Sequence, residues 1–404
     1  MKQSTIIHSP HDIWPPREWL NQMGDSIHKY LYDGNLLSIK DGTGVIEELE
    51  NCYKAYFDVP YALATNSGTA AVHSALIAIG VNPGDEIISQ TSTFHAAITP
   101  VIQCGGIPIL CETDGISGNL DVEDFVNKIS PRTKAVVVTH MWGYPADMLK
   151  IVKIAKAHGI YIIEDCSHAH GTIYQGKKVG TWGDVATFSM QESKLIPAGE
   201  GGMLITSNPE IYERAVLLGQ FGERAKKSIK NEQLSPYWET GLGLKYRIHP
   251  LAAICAIVSF SRFEKYLDIR RRRIRTLASY LQQIPYFDIL IEASEEDRYS
   301  YFMNRVRYLP RENQNRPVED VIQRLASVNL EVRRASAQPL HYLSLFQQPP
   351  EQYILNAKLW NRYGPGDFPV TEQYFKLLVG FPRFDHPDGD ELVEYYGNTI
   401  MNNL

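Results

Sequence analysis

The chain is poor in cysteine, and none of its cysteines stand in a C-x-x-C pair. The five present, Cys52, Cys104, Cys111, Cys166 and Cys255, are odd in number and irregularly spaced, which excludes a disulfide framework. They read as reduced, mostly buried thiols of a cytoplasmic protein. Long apolar runs are also missing. The longest, "AAICAIVSF", is about half a membrane span, and the opening "MKQSTIIHSPHDIWPP" has no apolar signal core. A cytoplasmic location without a membrane partner is therefore expected. Nor is there an excess of positive charge. Lys and Arg total 40 against 46 Asp and Glu, and a net charge of −6 argues against nucleic acid or anionic lipid as the main partner. The one basic run, Arg270 to Arg273, is interleaved with apolar residues at helical spacing and reads as a solvated helix face. Internal repeats and low-complexity segments are absent too.

What is there is alternation. Between residues 60 and 210, short continuously apolar runs alternate with helical stretches such as "TAAVHSALIAIG" and "ADMLKIVKIAKAHG". The expected strands are "YALATN" (61–66), "EIISQ" (86–90), "IPILCE" (107–112), "AVVVTH" (135–140), "IYIIED" (160–165), "VATFSM" (185–190) and "MLITS" (203–207). Runs without polar alternation imply a sheet covered on both faces, hence a doubly wound, mostly parallel α/β domain with its ligand site at the strands' carboxyl ends. Residues 251–284 read as one long helix, after which the order of elements changes. The expected division is a large domain over 1–261, including an N-terminal arm, and a smaller α/β domain over 262–404.

Four clusters fall at or just after the carboxyl ends of expected strands. In "NSGTAA" (66–71), the Ser67 and Thr69 hydroxyls and the amides around Gly68 suit a phosphate at a helix N-terminus, and Ser67 equally suits a helix cap. No Gly-Lys-Ser/Thr follows, so it is not a Walker loop. In "QTSTFHAA" (90–97), Phe94 is either a core ring or one that stacks on a planar ligand. In "IIEDCSHAHG" (162–171), a buried strand ends in Glu164 and Asp165, acids that burial penalises unless they are paired. His168 and His170 beside them lack a matching second half elsewhere, and no metal is expected. In "FSMQESKLIPAGEGG" (188–202), Ser189 and Lys194 sit between a strand and a glycine turn. That places the lysine away from the solvated helix faces where most lysines lie.

Phosphate donors, a stacking ring, a buried acid and a lysine amine are together the set that pyridoxal phosphate requires. A nicotinamide enzyme would instead need G-x-G-x-x-G after the first strand, and that motif is missing.

The motifs and their order resemble the DegT-type sugar and aminocyclitol aminotransferases, pyridoxal-phosphate enzymes of the aspartate-aminotransferase fold (fold type I). The resemblance runs from "GNLLSIKDGTGVIEELE" (34–50) through "NSGTAA", "HMWGYPADM" (140–148), "EDCSHAHG", "GDVATFSMQESKLIPAGEGG" (183–202) and "GLKYRIHPLAA" (243–253) to "FPVTEQYFKLLVGFP" (368–382). It implies a large, mostly parallel seven-stranded domain plus a smaller C-terminal one, and transfer of an amino group from glutamate or glutamine to the ketone of a sugar or cyclitol. Lys194 then matches the Schiff-base lysine and catalytic base, with a pKa lowered toward neutrality. Asp165 matches the partner of the pyridinium nitrogen, His168 the contact to the ring hydroxyl and Phe94 the stacking ring. Gly68, Thr69 and Ser189 match phosphate contacts. Relatives with histidine at the lysine position act as dehydratases, so Lys194 favours transamination over the rival readings, which are a dehydratase or epimerase and a non-catalytic sugar-nucleotide-binding relative. Locally, "FSMQESKL" is more similar to members acting on cyclitol ketones such as scyllo-inosose than to those acting on nucleotide-linked sugars. The family's shared active sites imply a homodimer. One departure stands out. Where relatives usually reach the neighbouring subunit's cofactor phosphate with an asparagine, this chain has Lys245.

Overall fold

The computed structural model describes residues 14–335 and 337–404. Residues 1–13, most of the segment read above for a signal core, lie outside the described residues.

All seven expected strands are present in one sheet: β1 (Tyr61–Thr65), β2 (Glu86–Gln90), β3 (Ile107–Cys111), β4 (Thr133–Thr139), β5 (Tyr161–Asp165), β6 (Val185–Ser189) and β7 (Gly202–Thr206). Their spatial order is β1-β7-β6-β5-β4-β2-β3. Strand β7 alone is antiparallel to its neighbours, so the other six point the same way. Successive strand residues feed opposite faces, which is why the strands carry no polar alternation. Leu63, Ile87, Val137, Ile163 and Leu204 belong to one apolar cluster with Val72 and Leu76 of the helix Gly68–Ala78. Ala62, Phe188, Met203 and Ile205 belong to another with Tyr53 and Ala256. Ile88, Val136, Val138 and Ile162 pack with Met148 and Ile151 of the helix Met148–His158.

Local chemistry fixes where the helices start. Ser67, Asp121, Asp147 and Asn208 each accept a backbone N–H from the first turn of the helix that follows. The helix Arg17–Tyr32 buries Trp19 in the Tyr53 cluster, which docks the N-terminal arm on the large sheet.

A second, four-stranded antiparallel sheet follows in space as Phe287–Ile289, Asn304–Tyr308, Leu378–Phe381 and Arg333–Arg334. Val306, Tyr308, Val379 and Phe381 pack there with Ile274, Leu277, Leu325 and Ile400.

Two expectations are corrected. The single helix over 251–284 is two, Pro250–Phe260 and Phe263–Leu281, broken at Ser261 and Arg262. The basic run is not a solvated face. Arg270, Arg271 and Arg273 are buried, and only Arg272 is exposed. Arg270 takes Asp385 bidentately at 2.9 and 2.7 Å, and Arg271 donates to the carbonyls of Gly171 and Tyr299 at 2.7 and 2.9 Å. Arg273 pairs with Asp390 at 3.0 Å. Buried charge is tolerated here because each guanidinium has acceptors in place. No helix among the described residues is long and apolar enough to cross a membrane.

Candidate active site

The carboxyl ends of β1, β2, β4, β5 and β6 open on one cavity of about 710 Å³. Its walls include Ser67, Gly68, Thr69, Phe94, Asp165, His168, Ser189 and Lys194. Eight of the nine residues singled out in the sequence thus meet in one place. The ninth, Lys245, is exposed and lies outside this cavity, bridged to Gln220.

The corner at Ser67, Gly68 and Ser189 is built by close backbone approach. The Ser67 side chain accepts from Ala70 N–H at 3.1 Å, so it performs the capping role open to it. A Cβ added at Gly68 would stand 2.8 Å from Cβ of Ser189, and one at Gly202 would stand 2.2 Å from the Ser67 carbonyl oxygen. Only glycine at both positions lets the first turn of the helix sit against the end of β6. The result is a polar corner of hydroxyls and helix-start amides, the arrangement that suits an anion.

Glu164 and Asp165 divide the work of the strand end. Glu164 is structural. One oxygen accepts from the Trp182 and Gly183 N–H groups, both at 2.7 Å, and the other from Gly180 N–H at 2.8 Å. His140 Nε2 meets that second oxygen at 3.1 Å. With Cys166 these residues form a buried trio of possible metal ligands, but the carboxylate is already saturated by amides. Asp165 points to the other face and lines the cavity. Its Oδ1 accepts from Ser167 N–H at 3.0 Å, and Oδ2 has no protein partner among the described residues.

Lys194 is half-buried on a loop pinned at both ends, by Ala198 N–H to Met190 O at 2.8 Å and Glu192 N–H to Gly199 O at 3.0 Å. Its amine lies 4.6 Å over the Phe302 ring and has no hydrogen bond or ion pair among the described residues. Burial lowers its pKa to about 8, with Asp165 opposing the shift. His168 is held flat, its ring stacked on Phe302 at 4.1 Å and on Trp142 at 5.9 Å. Burial keeps it neutral, far below the usual imidazole pKa, and its Nδ1 is sealed from solvent without a partner. His170 turns away, meeting Tyr53 Oη at 2.9 Å. Phe94 is 61% exposed, so it is a ring at the cavity mouth rather than a core residue.

Pyridoxal phosphate fits these residues. The glycine-enforced corner would suit its phosphate, Asp165 has an oxygen without a protein partner among the described residues for a protonated ring nitrogen, the Nδ1 of His168 lacks a partner, and Lys194 offers an amine without a hydrogen bond or ion pair among the described residues. Three members of the site were not singled out in the sequence. Phe302 arrives from the second sheet region. Trp14 donates from its Nε1 to the Lys194 carbonyl at 2.8 Å. Trp142 is held at φ 58°, an unusual backbone conformation for so bulky a residue. The signal that could have found Trp142 is the Trp-Gly pair at 142–143, just past the end of β4 at Thr139.

Fold and site together define a pyridoxal-phosphate-dependent aminotransferase. The chain belongs to the DegT/DnrJ/EryC1/StrS aminotransferase family, whose model matches residues 38–392. It is 31% identical over 381 residues to the GDP-perosamine synthase of Escherichia coli O157:H7, covering 94% of this chain and 98% of that one. Over 233 residues it is 33% identical to the L-glutamine:2-deoxy-scyllo-inosose aminotransferase of Streptomyces kanamyceticus, covering 57% and 55%. Its fold is similar to the X-ray structure of the aminotransferase from Psychrobacter cryohalolentis, with TM-score 0.82, 22% identity, and 96% and 98% of the two chains covered.

Proposed function

We propose that this aminotransferase moves the amino group of glutamate or glutamine to the ketone of a sugar or cyclitol, working in the cytoplasm as a homodimer with shared sites and lobes near 1–261 and 262–404. The observation that carries the reading is the unpaired, desolvated amine of Lys194 sharing one cavity with Asp165. The bound cofactor supplies an electron sink for the substrate carbon that loses its proton. Asp165 holds a proton on the ring nitrogen, the phosphate corner and the His168 stack fix the ring, and Lys194 moves the proton at the reacting carbon. Phe302 and the buried stack beside it keep water from the amine.

The GDP-perosamine synthase likeness over nearly the whole chain supports a nucleotide-linked keto sugar. The "FSMQESKL" stretch supports a keto-cyclitol as the second reading. The test is to load the purified protein with pyridoxal phosphate and add L-glutamate or L-glutamine. The pyridoxal absorbance should convert to that of the pyridoxamine form, and a keto sugar or an inosose should restore it. No conversion with either donor, or Lys194→Ala turning over normally, sinks the proposal. Asp165→Asn should keep some cofactor yet lose most of the rate.

A further inference from the structure

Phe302 lies on the segment leading into the strand Asn304–Tyr308 of the second sheet, and it is 3% exposed. Its ring is stacked on His168 at 4.1 Å with 14° between the planes. The amine of Lys194 lies over the same ring, 4.6 Å from its centroid. His168 stacks in turn on Trp142, and the guanidinium carbon of Arg305 lies 4.8 Å over that indole. One buried ring thus meets both Lys194 and His168.

The backbone is strained to put that ring there. Tyr301, the residue before it, is held at φ 46°, and Trp142 on the facing segment at φ 58°, left-handed positions that bulky side chains rarely adopt. The two segments meet at Gly143, where an added Cβ would stand 2.3 Å from Ser300 Oγ, 2.8 Å from Tyr301 N and 3.0 Å from Phe302 N. Ser300 Oγ donates to the His168 carbonyl at 2.8 Å, and Ser300 N–H to the Gly143 carbonyl at 3.3 Å. Strain of this kind persists only where the surroundings enforce it, and it gathers at functional sites. Excluding water from the amine does not call for an aromatic ring, since any apolar side chain does that.

What the ring adds is its face, whose negative quadrupole attracts a cation. Lys194 needs such a partner at one stage of its work, because a base that takes a proton from carbon becomes an ammonium. The titratable groups around it give little help. Asp165 favours the charged amine, but its partnerless oxygen is the one that suits the ring nitrogen of the cofactor. His168 and His170 are buried, and the lysine's own charge helps to keep both neutral. Arg305, at the end of the stack, carries the same sign of charge. Glu200 on the cavity wall is exposed, where water weakens its pull.

We infer that Phe302 is a positioning residue for Lys194: its ring face receives the ammonium and holds it in the cavity until the proton is returned to carbon. This rests on the aminotransferase reading above. The test compares wild type with Phe302→Leu, which stays apolar without a ring, and Phe302→Tyr, which keeps one. A third form carries a trifluorinated phenylalanine at 302, which keeps the shape and loses the negative face. Each apo-protein is mixed with pyridoxal phosphate across pH 6–10, and capture is followed by stopped-flow absorbance. Capture needs the neutral amine, so losing the ring's attraction should move the midpoint of the pH profile down. At pH 6.5 the leucine and trifluorinated forms should capture about three- to tenfold faster than wild type, the range of a cation–π contact. Phe302→Tyr should keep the wild-type midpoint. In loaded protein the trifluorinated form should convert more slowly at saturating L-glutamate, with half-saturation unchanged. A midpoint that stays put or rises in either form without the negative face overturns the inference and leaves Phe302 as a water seal. So does wild-type conversion in the trifluorinated protein, because the ring would then be idle during turnover. Should Phe302→Leu fail to fold, the trifluorinated form decides alone. Wild-type apo-protein that captures no pyridoxal phosphate overturns the aminotransferase reading itself, and this inference falls with it.

Discussion

The indole Nε1 of Trp14 donates to the backbone carbonyl of Lys194 at 2.8 Å, so the N-terminal arm holds the peptide that carries the Lys194 amine. The same indole lies 4.9 Å from the guanidinium of Arg270 and 5.8 Å from that of Arg383, and both arginines bond Asp385. Arm, lysine loop and second lobe are thus joined through one side chain. Trp14→Phe keeps a ring for the cations and removes the N–H. It is expected to cost about 1 kcal/mol of stability, as one hydrogen bond does, and to lower kcat several-fold with the donor KM little changed. Thermal melts and the kcat/KM split check this. A loss of stability with unaltered kcat would show that the bond is merely structural.

The lowered pKa of Lys194 has a direct consequence in pH. Capture of the cofactor needs the neutral amine. With a pKa of about 8, about a quarter of the protein carries it at pH 7.5, against about a thousandth for an ordinary lysine. The rate of cofactor uptake by apo-protein should rise with pH and level off above about 8. Asp165 favours the charged amine, so Asp165→Asn should move that plateau to lower pH. Stopped-flow absorbance across pH 6–10 measures both, and a rate still climbing at pH 10 contradicts the assignment.

How much of this was legible depends on where each signal lies. The seven strands of the large sheet could be read because each is a self-contained apolar run between turns. The site clusters could be read because the chemistry gathers at the ends of those runs. Phe302 and Arg305 could not, since only tertiary folding brings the second sheet against Trp142 and His168. The arginine run was misread for a related reason. Locally it looks like a charged helix face, and its acceptors, Asp385 and Asp390, lie more than 100 residues further along the chain. The break at Ser261 carries no proline or glycine to mark it.

His170 should weaken the protein in acid. It is fully buried against Phe188 and Tyr53, and burial, helped by the charge of Lys194, lowers its pKa from 6.5 to about 3. The unfolded chain binds a proton there below pH 6.5 while the folded chain does not, so stability falls as pH drops through that window. Between pH 6.5 and 4.5 this one group removes roughly 2–3 kcal/mol. His170→Gln, which keeps a partner for Tyr53, should flatten that part of the pH–stability curve in urea titrations. Parallel curves for the two proteins would rule the effect out.

Lys245 tests the proposed dimer. Within its own protomer it is exposed, paired by backbone to Gln220 and outside the cavity. That position leaves its ammonium available to another molecule. The nearby Leu242 and Tyr237 are also exposed, and large apolar side chains left on a surface suit an interface. If a partner subunit brings Lys245 to the phosphate corner at Gly68, Thr69 and Ser189, a full charge meets the cofactor where a neutral asparagine would give a weaker bond. Lys245→Ala should then weaken cofactor retention roughly tenfold or more, with Lys245→Asn falling between alanine and wild type. The loss should disappear in any variant that sedimentation shows to be monomeric, since the contact exists only between subunits. Equal cofactor affinity in wild type and both variants would place Lys245 on the solvent face and leave the phosphate to its own subunit.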